Sequence, residues 1–147
     1  MIMKKSKRLS KIASLIGRQE RQAAEMVGEA QKVADERKAR FNELESYRDE
    51  YIANFQSKVG GTLNVTQLNE YRAFTARLNS AVEQQGQLLK QSQAILEEKK
   101  RVWFEIRNKY QSIEKVAERS RDAEQLDESR QEQKETDARS RAPKSVY

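Results

Sequence analysis

The sequence predicts an all-α fold of two long helices forming an antiparallel coiled-coil hairpin, the second helix longer and ending in a polar tail. Three observations predict it. A seven-residue apolar repeat holds from Tyr71 to Ala117. The chain's only adjacent glycines, Gly60 and Gly61, interrupt a first periodic segment and a second. The positions between the apolar ones are filled by Gln, Glu, Arg, Lys and Ala, all good helix formers.

The first periodic segment starts near Ser10 and runs to about Ser57. Its apolar positions are Ile12, Ile16, Ala23, Met26, Ala30 and Val33, at steps of three and four. The phase is read as slipping by one residue at Arg37 and resuming as Phe41, Leu44, Tyr47, Tyr51 and Phe55. Such spacing puts one apolar stripe on one face of a helix. At 1.5 Å per residue this helix would span about 70 Å. Gly60-Gly61 is the strongest turn signal in the chain. Asn64, with Gln67 three residues on, reads as a capping box that starts a second helix.

The second segment has three apolar lanes. One is Phe74, Ala81, Leu88, Ile95, Val102, Lys109 and Val116. The next is Leu68, Thr75, Val82, Leu89, Leu96, Trp103, Tyr110 and Ala117. The third is Tyr71, Leu78, Gln85, Ser92, Lys99, Ile106 and Ile113. A repeat of seven kept this long holds a stripe against a partner helix and imposes a left-handed supercoil. A short break between two such helices favours the hairpin, because each stripe then finds its partner in the same chain. Gln85, Ser92 and Lys99 are polar where apolar residues are expected. They are placed at the edge of a broad stripe, the other reading being seam residues that fix register. Trp103 and Tyr110 stand where the first helix should end, either packing Ile12 and Ile16 or docking into another protein.

From Glu118 to Ser145 the only large apolar residue is Leu126, so this part is a helical overhang or a disordered tail. Ala142-Pro143 ends any remaining helix. The expected organisation is therefore a basic N-terminal helix over 1–57, a glycine-containing turn over 58–65, a second coiled-coil helix over 66–117 and a polar tail over 118–147.

Composition narrows function. Of 147 residues, 36% are hydrophobic and 35% charged, and mean hydropathy is −1.01, too polar for a globular core but enough for a buried stripe. No stretch approaches the roughly 18 or more apolar residues of a membrane span. The basic start leads to no signal-peptide core, so a cytosolic protein is expected. With no His and no Cys, the usual general base and the strongest nucleophile are missing. No phosphate loop of the G-x-x-x-x-G-K-[ST] type is present. Carboxylate pairs such as Glu97-Glu98 and Asp49-Glu50 sit beside Lys and Arg on helix surfaces. No catalytic residue, metal site or cofactor is expected, and the chain is read as a non-enzyme that binds, braces or transmits.

The net charge of +6 is one-sided. Residues 1–40 hold 11 Lys and Arg against 5 Asp and Glu, and the rest of the chain balances. An acidic partner or an anionic surface would feel that end. The alternative reading is a basic adaptor, for nucleic acid through the basic end or for an anionic membrane through Leu9, Ile12, Leu15 and Ile16 among Lys and Arg. Glu20, Glu25 and Glu29 break up the basic run that a zipper-type nucleic-acid binder needs. Six aromatics gather around the glycine break: Phe41, Tyr47, Tyr51, Phe55, Tyr71 and Phe74. They either pack the closed end of the hairpin or leave surface for a partner, since a helix pair has one interior face.

The stretch from Leu44 to Gln85 carries a more specific pattern. It reads Leu44-x-x-Tyr47-x-x-x-Tyr51, a loop with Gly60-Gly61, then Tyr71-x-x-Phe74-x-x-x-Leu78-x-x-Ala81-Val82-x-x-Gln85. Together with the basic first helix and the longer second one, it resembles the FliJ family of flagellar type III export proteins. That resemblance implies an antiparallel coiled coil similar to the central-shaft subunit of rotary ATPases. It implies three partners: a hexameric flagellar export ATPase, the cytoplasmic domain of the membrane export-gate protein, and chaperones of late export substrates. It implies no nucleic acid, and membrane association only through partners at the cytoplasmic face of the inner membrane. The family's gate-binding surface maps onto Leu44, Tyr47, Tyr51, Phe74, Leu78 and Ala81. Gln85 stands where some members carry a His. The basic end at Lys4, Lys5, Lys7, Arg8 and Lys11 would face the ATPase ring.

Overall fold

In a computed structural model of the chain, which describes residues 3–58 and 63–141, two helices account for almost all of the backbone. The first, α1, is Lys5–Lys58 and has 54 residues; the second, α2, is Val65–Arg141 and has 77. No strand occurs among the described residues. Gly60-Gly61 and Ala142-Pro143, expected to turn and to stop the chain, lie outside the described residues.

The start of α2 is the capping box that its sequence announces. Asn64 Oδ1 accepts from the Gln67 amide at 2.7 Å, and Gln67 Oε1 accepts from the Asn64 amide at 3.5 Å. Each side chain thus satisfies an amide that the helix leaves without a carbonyl partner.

The helices pack antiparallel, as α1 contacts march backwards along α2. Phe41 meets Gly86, Arg48 donates to Asn79, and Tyr51 and Phe55 meet Tyr71. On the other stretch, Ser6 meets Glu124, Ser10 accepts from Arg121, and Gly17 meets Tyr110. The pairs fall into two compact units. One joins α1 up to Gln22 with α2 from Phe104 onward; the other is Ala23–Trp103.

Burial assigns the heptad. With positions labelled a to g, α1 places Ser6, Ala13, Glu20, Val27, Ala34, Phe41, Arg48 and Phe55 at a. Its d lane is Leu9, Ile16, Ala23, Ala30, Arg37, Leu44 and Tyr51. All of them are buried or half-buried, and the run continues without a slip. The phase slip expected at Arg37 is therefore corrected: Arg37 is itself a seam residue. Ile12, Met26 and Val33, taken as seam, are 46%, 51% and 47% exposed. The misreading has a physical cause. The residues that do pack beside them are small (Ala13, Ala23, Ala34), and small residues let helices close while larger neighbours stay outside.

On α2 the a lane is the expected Leu68 to Ala117 lane, extended to Glu124, and the d lane is the Tyr71 to Ile113 lane, extended to Ser120. The lane from Phe74 to Val116 falls at g and flanks the seam; Ile95 is 54% exposed. Gln85, Ser92 and Lys99 do not lie at an edge. Ser92 is buried to 6% exposure, and Gln85 and Lys99 are half-buried at d. Ser92 Oγ donates to the Leu89 carbonyl at 2.8 Å. The buried oxygens Thr75 Oγ1 and Gln85 Oε1 have no hydrogen-bond partner, so this stretch of seam is held less tightly than an apolar one would be.

Large side chains fit opposite missing ones. A Cβ built on Gly17 would lie 2.9 Å from the Tyr110 ring, and one on Gly86 3.3 Å from the Phe41 ring. Gly28 has nothing within 4 Å of its Cβ position. Gly28→Ala should therefore stabilise the chain by about 0.5–1 kcal/mol through helix propensity. Gly17→Leu should destabilise it by about 1–3 kcal/mol, because the seam has no room beside Tyr110. Urea unfolding followed by circular dichroism measures both.

Candidate partner-binding surfaces

Two surfaces follow from the sequence, one in each unit. In the Ala23–Trp103 unit, aromatic rings form a contiguous stack. The Phe55 and Tyr71 rings lie 3.6 Å apart and nearly parallel, Tyr51 stacks on Tyr71 at 6.0 Å, and Phe74 meets Tyr51 edge-on at 4.6 Å. These rings pack Tyr51 and Phe55 of α1 against Tyr71 and Phe74 of α2.

The seven residues read as the gate-binding surface fall on only two lanes of the heptad. Leu44, Tyr51, Leu78 and Gln85 are at d; Tyr47, Phe74 and Ala81 are at g. Since d and g are neighbours around a helix, all seven share one side of the helix pair. Their burial differs sharply. Leu78 is 7% exposed and is core, whereas Tyr47 is 51% exposed and free to meet a partner. Leu44, Tyr51, Phe74, Ala81 and Gln85 are half-buried. A shallow cavity beside them is lined by Tyr51, Ala73, Phe74, Arg77 and Glu70.

In the other unit, the basic cluster does not act as five equivalent charges. Lys5, Lys7, Arg8 and Lys11 are exposed, but Lys4 is ion-paired with Glu128 of α2. The Glu128 hydrogen bond and charge hold the Lys4 ammonium above its ordinary pKa. Next to it, Glu124 accepts from the Ser6 amide at 3.1 Å and from the Ser6 hydroxyl at 2.5 Å. The first turn of α1 contains no acidic residue. Glu124 thus delivers from α2 the negative charge that a helix N-terminus favours, and satisfies an amide that has no carbonyl of its own. Sequence reasoning missed this clamp because its partners are over a hundred residues apart. The one visible signal was the lack of acid in the first turn of α1.

Farther along this unit, Tyr110 settles against Gly17, which answers whether it packs or docks: its ring packs within the chain. A hydrogen bond to Glu114, with burial adding to it, raises the Tyr110 phenol pKa. Trp103 is half-buried at an a position.

The Ser6 hydrogen bonds hold the Glu124 carboxyl below the usual carboxylate range. A group whose folded pKa is depressed stabilises the fold above its unfolded pKa and loses that contribution as pH falls through the folded value. Protection of the amides at the start of α1, taken relative to their intrinsic exchange rates at each pH, should therefore fall as pH drops below the carboxylate range, and Glu124→Gln should remove that dependence. For the aromatic stack, Tyr71→Ala should cost about 2 kcal/mol of stability, by loss of stacked ring area. Tyr47→Ala should cost less than about 0.5 kcal/mol, as for other exposed sites. Chemical denaturation separates the two.

No helix among the described residues is long and apolar enough to cross a membrane. Neither curated proteins nor solved structures give a match to the chain. A family model described as flagellar FliJ protein matches residues 4–141, which include the whole of both helices. With the paired helices and the aromatic side of the heptad in place, that match decides the family: the chain belongs to the FliJ family, components of the flagellar export apparatus.

Proposed function

We propose that this chain works as a central stalk of the flagellar export ATPase ring and links that ring to the export gate and to chaperones of late substrates. The observation that carries this reading is the family match over residues 4–141. The gathering of all seven gate-surface residues on the d and g side supports it, because a binding face needs its residues on one side.

The division of labour follows from burial. Tyr47, with Phe74 and Ala81 beside it, offers the apolar contact to the cytoplasmic domain of the gate protein, while Leu78 holds the helices together underneath. At the other unit, Lys5, Lys7, Arg8 and Lys11 present positive charge to the ring, and Lys4 instead tethers α1 to Glu128. A single asymmetric element among identical ring subunits meets each of them differently, so it biases their conformational equilibria without chemistry of its own. The protein works in the cytoplasm and reaches the inner membrane only through its partners.

The purified chain should raise the rate of ATP hydrolysis by the cognate ring ATPase while hydrolysing none alone; an unchanged rate refutes the stalk role. Reversing Lys5, Lys7 and Arg8 to Glu should lower that stimulation. Tyr47→Ala should weaken binding of the gate's cytoplasmic domain by about tenfold with helix content unchanged, the size expected when a central aromatic contact is lost. Equal loss of binding and helicity would return Tyr47 to a purely structural role.

A further inference from the structure

The two sides of the helix pair in the Ala23–Trp103 unit are chemically unlike. In an antiparallel pair, e lanes adjoin e lanes and g lanes adjoin g lanes. The contacts of Phe41 with Gly86 and of Arg48 with Asn79 mark the e side. That side carries Lys38, Glu45, Arg72, Asn79, Gln93 and Lys100. The g side carries Met26, Val33, Leu88, Ile95 and Val102, interrupted by Arg40. Met26 and Ile95 are more than half exposed and Val33 is 47% exposed, so large apolar side chains stand outward in a row. Just outside this row, at c of α1, lie Glu29, Glu36, Glu43 and Glu50, all exposed. One carboxylate every seventh residue makes an acidic rail roughly 30 Å long.

We propose that this g side is a docking groove for a basic amphipathic helix of a partner protein. Its apolar stripe would cover Met26, Val33, Leu88 and Ile95, and Lys or Arg beside that stripe would pair with Glu29, Glu36, Glu43 and Glu50. Exposed apolar rows beside a helix seam are covered most economically by a third helix, whose own apolar positions repeat at the same spacing. The charge of the rail selects the occupant. The excess of positive charge lies within residues 1–40 and the rest of the chain balances, so a basic helix gains most where four carboxylates line up at this lane. A second copy is a poor occupant, because two identical faces would bring two acidic rails together. None of these residues is among the seven of the gate surface, although Glu43 and Glu50 flank Tyr47, and the groove does not depend on the stalk reading.

The test uses the full chain and two synthetic helical peptides of about 20 residues, a length that spans the rail. Both have the same leucine stripe; one is flanked by Lys, the other by Glu. In fluorescence anisotropy the Lys-flanked peptide should bind about tenfold more tightly or better, with a preference that fades as salt rises. Glu36→Lys with Glu43→Lys should reverse the preference, and the milder Glu36→Gln with Glu43→Gln should reduce it. Val33→Asp with Ile95→Asp should weaken both peptides. Lys38→Glu with Arg72→Glu, on the opposite side, should leave the binding unchanged. Circular dichroism should give wild-type helicity for every variant, since all these positions are exposed and lie outside the a and d lanes. Equal binding of the two peptides, or a preference that survives charge reversal, overturns the proposal. A concentration-dependent dimer in sedimentation that Val33→Asp abolishes also overturns it, by assigning the face to a second copy. No ATPase or gate protein enters the measurement, so its failure is distinct from failure of the stalk role.

Discussion

Everything else in this protein depends on two rings lying over two glycines. Over much of α1 the seam is small, at Ala13, Ala23, Ala30 and Ala34, and small residues alone set register weakly against the larger side chains of α2. Tyr110 over Gly17 and Phe41 over Gly86 remove that freedom. Each ring fits where a side chain is missing, and a shift of one heptad would drive it against a Cβ. The register so fixed decides which residues stand at g, and therefore what each unit shows to its surroundings.

Electrostatics completes what packing leaves undone. The start of α1 is rich in lysine and lacks the acid that would settle its helix dipole. Glu124 and Glu128 come from α2 to supply it, one on the Ser6 amide and hydroxyl, the other on Lys4. The polar part of α2 beyond Ala117 is thereby put to use: at Ser120 and Glu124 it still carries seam positions, though almost no apolar residue marks it.

Much of this was legible in the sequence. The repeat of seven gives both helices and the hairpin, and Asn64 with Gln67 gives the start of α2. The aromatic spacing gives the family. The seam of α1 was misread because hydrophobicity was taken as a proxy for burial. Ile12, Met26 and Val33 are more apolar than Ala13 and Ala34, yet a helix partner selects the lane that permits close approach, not the greasiest one. Ser92 was misplaced for the related reason that a serine can satisfy its hydroxyl on its own helix carbonyl and so be buried cheaply. The Glu124 clamp was invisible because sequence patterns report neighbours along a helix and not across one.

The lane structure has a consequence for how such a protein can change over generations. Residues at a and d answer mainly to the opposite helix, while those at c and the exposed g residues such as Val33 answer to whatever lies outside. A substitution at Glu36 or Val33 alters what the surface offers and leaves the packing opposite Leu96 or Trp103 as it was. Partner choice and fold are therefore nearly separate variables in one short sequence, and the first can drift while the second stands still.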